Sequence, residues 1–191
     1  MLVLVGYVIV LRKLNNWGNQ MPKSYKNIVL IGMPGSGKST IGVLLAKAIG
    51  MAFIDTDLLI QQQENRLLQD IISEQGIAGF LAIEEAVLLK LEVVNTVVAT
   101  GGSVIYSNKA MEHLKRNNLV VYLHVDYPEL EQRITDMDTR GIVMTKGQKL
   151  VDVYNERIEY YQKYADLMLD STGISIEETL RRLVSLLKNK N

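Results

Sequence analysis

The chain has no cysteine, which excludes disulfides, a thiol nucleophile and zinc–thiolate coordination. It has two histidines, His113 and His124, far apart and in no ligand pattern. One falls in a helix-like stretch and the other in a strand-like one, so both read as structural. Neither sign of charge is in excess: 21 Lys and Arg balance 21 Asp and Glu. No long-range field therefore favours nucleic acid or an anionic membrane. There is no internal repeat and no low-complexity tract. The strongly apolar run Met1–Val10 is too short for a membrane-spanning helix, which takes about 20 residues. Its positive residues, Arg12 and Lys13, follow the run instead of preceding it as in a secretory signal.

With 191 residues, 48% of them hydrophobic and 22% charged, the chain suits one compact domain, or one domain plus a short lid. Residues 1–25 are set apart as an N-terminal extension. Met1–Gln20 reads as a mis-called start, with a second plausible start at Met21. The other reading of this stretch is an added strand or a membrane-contact segment. Residues 26–191 form the domain.

Apolar strand-like runs alternate with helix-like ones. Strands are expected at Asn27–Gly32, Met51–Ile54, Thr96–Thr100, Leu119–Val125 and Asp166–Asp170. Helices are expected at Ser39–Gly50, Leu58–Gln75, Gly79–Leu91, Asn108–Asn117, Tyr127–Met137 and Leu150–Tyr164. Ser175 and Glu178 form a capping box that opens a last helix. The pattern implies an α/β fold: a three-layer sandwich with a five-stranded parallel sheet and helices on both faces. In such sheets ligands bind outside the carboxyl ends of the strands. Gly32, Asp55, Asp57, Gly101 and Gly102 all fall there.

Gly32-Met33-Pro34-Gly35-Ser36-Gly37-Lys38-Ser39 fits the phosphate-binding pattern G-x-x-x-x-G-K-S/T in full, between an expected strand and an expected helix. The glycines let backbone N–H groups turn inward around phosphate oxygens, and the following helix N-terminus adds free donors. Gly35, Ser36, Gly37, Lys38, Ser39 and Thr40 are the expected nucleotide-binding positions. Lys38 would reach the β- and γ-phosphates and Ser39 would ligate Mg²⁺. ATP and Mg²⁺ are therefore the expected cofactors.

Asp55 and Asp57 stand two apart at a strand end, so an extended backbone would point both to one side. Phosphoryl transfer to a hydroxyl needs metal positioning and an acceptor for the hydroxyl proton. Asp55 is assigned to the metal and Asp57 to the substrate hydroxyl as general base or orienting group; the plain alternative is a solvated turn with two helix-capping acids. Gly101-Gly102 allows close approach of backbone to a ligand. Arg133–Gly147 is the candidate lid, from which Arg140 could move onto the transferring phosphate. Arg157, near Tyr154, Tyr160, Tyr161 and Tyr164, suits a substrate carboxylate, or else faces solvent. The tyrosines read as packing residues with wet hydroxyls.

The layout resembles the shikimate kinase family, within the nucleoside-monophosphate-kinase-like P-loop fold. The resemblance covers roughly Lys26 to Lys188 and rests on the P-loop, Asp55-Thr56-Asp57, Ala99-Thr100-Gly101-Gly102 and the Glu156-Arg157 to Tyr161 stretch. It implies ATP-dependent phosphorylation of the 3-hydroxyl of shikimate by a monomeric cytoplasmic enzyme, with no nucleic-acid partner and no membrane contact for the kinase domain. The helices at about 58–91 would bind substrate. Asp57 and Gly102 would contact its hydroxyls and Arg157 its carboxylate. Arg140 would be the lid arginine, and Arg133 would stack on adenine.

The chain departs from the family pattern at several positions. The family's F-R-x-x-E reads Phe80-Leu81-Ala82-Ile83-Glu84, so Leu81 stands where a carboxylate-binding arginine is expected. Ser103 replaces the usual third glycine, Gly141-Ile142 follow Arg140 where P-L is usual, and Glu159 replaces a proline. Losing one of two arginines on a carboxylate removes a charge-assisted hydrogen bond worth about 1.5–3 kcal/mol, or roughly ten- to a hundredfold in affinity. Two further readings stand beside shikimate phosphorylation. One is a related kinase for another small polyol or hydroxy acid. The other is a nucleotide-binding module without phosphoryl transfer.

Overall fold

The computed structural model of the chain describes residues 25–134, 142–145 and 147–188. Strands β1 (Asn27–Ile31), β2 (Ala52–Asp55), β3 (Thr96–Ala99), β4 (Asn118–His124) and β5 (Leu167–Asp170) pair in the order β2-β3-β1-β4-β5. Every pairing is parallel. The helices are α1 (Lys38–Ile49), α2 (Thr56–Glu64), α3 (Leu68–Leu89), α4 (Asn108–Lys115), α5 (Tyr127–Arg133), α6 (Leu150–Tyr164) and α7 (Ile176–Lys188). The expected five-stranded α/β sandwich is the fold the chain adopts.

The strands are apolar throughout because both sheet faces are covered, and successive side chains feed opposite cores. Ile28 and Leu30 of β1 join Val97, Leu119 and Val121 under α1 and α7, which contribute Ile41, Leu45, Leu183 and Val184. Val29 and Ile31 join Val98, Val120 and Tyr122 on the other face, against Met111 and Leu114 of α4 and Val153 and Tyr161 of α6. A third cluster, Ile60, Leu68, Ile71, Phe80, Val87 and Val143, knits α2 and α3 into a small lobe beside the sheet.

One expectation changes within this lobe. A single helix was expected over Leu58–Gln75, ending at Gly76. The chain instead stops at Asn65, which caps α2 in the left-handed region at φ 52°. A helical stretch then begins at Leu68 and is broken at Gly76, the expected stop, by a non-helical φ of 71°; the stretch that follows it directly completes α3. Asparagine tolerates the left-handed conformation, and both helices bury apolar residues in one cluster, so the hydrophobic period carries across the break.

Strand β1 is central. The chain leaves it for β2 on one side, returns to β3, and crosses over β1 to β4 on the other side. This reversal opens a crevice outside the carboxyl ends of the strands. Residues 1–24 of the expected extension lie outside the described residues, as do 135–141 and 146 of the expected lid, Arg140 among them.

Candidate active site

Six residues, Gly32 to Gly37, join β1 to α1. The loop turns tightly enough to put Gly35 at φ 81° and Gly37 at φ 91°, a region that side chains other than glycine rarely adopt. Gly37 caps α1 without any side-chain hydrogen bond, and no acid stands in the first turn. The helix thus presents free N–H groups and a positive dipole to the crevice. Ser36 Oγ is buried and has no hydrogen-bond partner among the described residues, as befits a loop shaped around an anion. The Lys38 ammonium is buried and donates to the carbonyls of Gly32 and Met33, both at 2.8 Å. Burial pulls its pKa down to about 8, against the attraction of Asp57 and Asp55.

Asp55 ends β2 and caps α2, its Oδ1 accepting from the Asp57 N–H at 3.0 Å. Its Oδ2 accepts from Ser39 Oγ at 2.6 Å. The extended Asp55–Asp57 arrangement expected from the spacing is therefore corrected: helix α2 starts at Thr56, so Asp57 lies in a helical turn. Two roles weighed as alternatives combine here, because Asp55 caps a helix and also meets the P-loop serine. This pair fits Mg²⁺, which is held through one or two oxygen ligands and keeps several of its waters. Asp57 is pushed up to about 6 by burial first and by Asp55 second, with Lys38 opposing. Its Oδ1 is buried without a partner among the described residues.

Beyond β3, the Gly101 N–H donates to Thr56 Oγ1 at 3.2 Å. A Cβ on Gly101 would sit 2.4 Å from Glu84 Oε1 and 2.7 Å from Asp57 Oδ1, so only glycine fits this wall. Tyr161 donates to the Gly102 carbonyl at 2.7 Å and stacks on Tyr122. Its hydroxyl is thus bonded to protein rather than wet, and it fixes the Gly102 turn. Arg157, fully buried on α6, donates through Nε to Tyr106 Oη at 3.1 Å and through Nη2 to the Val143 carbonyl at 2.6 Å. Among the described residues no carboxylate lies within ion-pair reach of it. The solvent-facing alternative for Arg157 is excluded.

These groups surround one cavity of about 410 Å³. The P-loop residues Gly35, Gly37, Lys38, Ser39 and Thr40 form one end. Asp57, Gly101, Gly102 and Arg157 form the other, and Arg133 borders the nucleotide side. Arg133 is paired to Glu129 and donates to the Gly35 carbonyl at 3.4 Å. Leu81 packs against the small lobe cluster, while its neighbour Phe80 borders the cavity.

In the sequence Glu84 and Ser103 stand out only as motif positions. Glu84 is 2% exposed, and its Oε2 accepts from Ser103 Oγ at 2.8 Å. Burial pushes its carboxyl up to about 8, with the Ser103 hydrogen bond opposing and Asp57 adding. An acid within the buried stripe Phe80, Glu84, Val87 and Leu88 is the sequence signal that could have singled it out.

The shikimate kinase family model matches residues 34–188. Shikimate kinase of Bacillus mycoides is 31% identical over 159 residues, 83% of this chain and 96% of that protein. The enzyme of Thiobacillus denitrificans is 35% identical over 160 residues, covering 82% and 87%. Among solved structures, shikimate kinase from Acinetobacter baumannii in complex with shikimate superposes with a TM-score of 0.82 at 26% identity, over 93% of this chain and 98% of that one.

Proposed function

The chain belongs to the shikimate kinase family, and on that premise we propose that it transfers the γ-phosphoryl group of ATP to a hydroxyl of shikimate, giving shikimate 3-phosphate. The observation that carries this reading is a single cavity shared by a phosphate loop and a fully buried guanidinium with no carboxylate partner among the described residues. The first suits a triphosphate and the second a small carboxylate.

In this reading the α1 N-terminus and Lys38 hold the phosphates, and the ammonium leaves the Gly32 and Met33 carbonyls to meet them. Asp57, with a free buried Oδ1, orients the acceptor hydroxyl and takes its proton as the phosphoryl group moves. Gly101 and Gly102 let the acceptor approach the backbone, and Arg157 turns it by its carboxylate. Ser39 and Asp55 would hold Mg²⁺, which when bound neutralises charge on the phosphate oxygens. Arg133 is assigned to the nucleotide base and Arg140 to the transferring phosphate. We further propose a cytoplasmic monomer. Among the described residues no helix is long and apolar enough to cross a membrane.

A coupled ADP-release assay with shikimate and a panel of polyols and hydroxy acids tests the reading, with phosphorus NMR to locate the new ester. Shikimate-dependent ADP release with the ester at the 3-hydroxyl is expected. Turnover of another acceptor alone would overturn the shikimate assignment. ATP binding without turnover of any acceptor would leave a nucleotide-binding module.

A further inference from the structure

Glu84 is not used by the mechanism above, yet the fold keeps this carboxyl in its interior. It is 2% exposed on the apolar side of α3, where an acid is costly unless its position serves something. Its Oε2 accepts from Ser103 Oγ at 2.8 Å, and its Oε1 has no partner among the described residues. Among the described residues, Asp57 Oδ1 is the other buried carboxylate oxygen without a partner. The point where a Gly101 Cβ would lie is 2.4 Å from Glu84 Oε1 and 2.7 Å from Asp57 Oδ1, so the two oxygens are at most 5.1 Å apart, the sum of those distances. Glu84 therefore backs the wall against which Asp57 and Gly101 are set.

Ser103 is the one side chain that donates a hydrogen bond to Glu84 among the described residues. It is also the last residue of the Gly101–Gly102–Ser103 cavity wall. The position three residues before Glu84 on α3 is a second place from which a donor could reach it, because residues three apart on a helix are neighbours. That position is Leu81, an apolar side chain packed into the small lobe cluster, with nothing to donate.

We propose that Ser103, acting through the buried carboxyl of Glu84, is a positioning residue for the acceptor. It holds Glu84 behind Gly101, fixes the spacing between Asp57 and the glycine wall, and supplies the hydrogen bond that Leu81 cannot. The inference rests on the kinase reading, in which the acceptor hydroxyl sits between Asp57 and that wall. It predicts that Ser103 and position 81 are interchangeable sources of one interaction. An arginine at position 81, which is only partly buried, can lay its stem along the lobe and direct its guanidinium toward Glu84.

The test is a double-mutant cycle of Ser103→Ala and Leu81→Arg, reading KM for acceptor, KM for ATP, kcat and the unfolding temperature. Ser103→Ala is expected to raise the acceptor KM about tenfold while the ATP KM stays within about twofold. Adding Leu81→Arg to Ser103→Ala is expected to recover most of that loss, and to lower the acceptor KM by a larger factor there than Leu81→Arg does in the unsubstituted chain. The inference is overturned if Ser103→Ala leaves the acceptor KM unchanged, if both KM values rise together, or if the double variant is no better than the single one. Those outcomes leave the kinase reading standing. Absence of any acceptor turnover in the unsubstituted chain overturns both.

Discussion

Replacing Glu84 with glutamine is expected to stabilise the fold and to flatten its response to pH. The carboxyl is 2% exposed and pushed up to about 8, whereas an ordinary glutamate titrates near 4.5. An acid whose pKa is raised by folding binds a proton as the chain folds. Its contribution to stability is intact below 4.5, declines as pH rises, and is fully lost above about 8. The slope across that interval is about 1.4 kcal/mol per pH unit. Asp57, raised to about 6, adds a similar decline only below pH 6. Lys38, lowered from 10.5 to about 8, acts only above pH 8. Between pH 6 and 8, therefore, Glu84 is the one of these three that changes, and the original chain should lose about 2–3 kcal/mol through it. Glutamine keeps the shape and can still accept from Ser103, but carries no titrating proton. Urea unfolding at pH 6, 7 and 8, followed by circular dichroism, measures both slopes. The reasoning fails if the Glu84→Gln chain loses stability over this interval as steeply as the original.

Three further outcomes are expected. Gly101→Ala drives a methyl into Glu84 Oε1 and Asp57 Oδ1, so acceptor turnover should fall at least about a hundredfold while nucleotide binding, measured by calorimetry, is kept. Arg157→Lys loses the planar fork that meets Tyr106 and Val143, and steady-state kinetics should show the acceptor KM raised about tenfold or more. Acceptor kcat/KM should rise as Asp57 loses its proton near pH 6 and fall as Lys38 loses its own near pH 8. Asp57→Asn should cut kcat by about 10²–10⁴ and abolish the acid limb, and a near-normal kcat would refute its role as base.

Much of the site was legible from residue order. The P-loop pattern located the phosphate end because glycines, lysine and serine at that spacing act through local backbone geometry. The Asp55–Asp57 pair is legible in the sequence, but its geometry is not. Spacing alone does not say where a strand ends, and α2 begins at Thr56. Arg157 could be read as a ligand or as a solvated charge, and its complete burial excludes the second. Glu84 stands in the sequence only as a motif position because its importance lies in what it faces: Gly101 and Ser103 come from a different stretch of the chain.

What the sequence determined by itself is whatever depends on near neighbours along the chain. It specified the alternation of apolar strands with amphipathic helices, the glycine turn that opens to phosphate, and the absence of thiol chemistry. The tertiary structure decided what depends on distant residues meeting in a dry interior. It brought β1, β2, β3 and α6 together so that Lys38, Asp57, Gly101 and Arg157 share one cavity. It set the half-buried carboxyl of Asp57 and the buried one of Glu84 against one glycine, and desolvation there moves both toward neutrality. Burial is a property of packing, and so the chemistry these two acids can perform was set only when the chain folded.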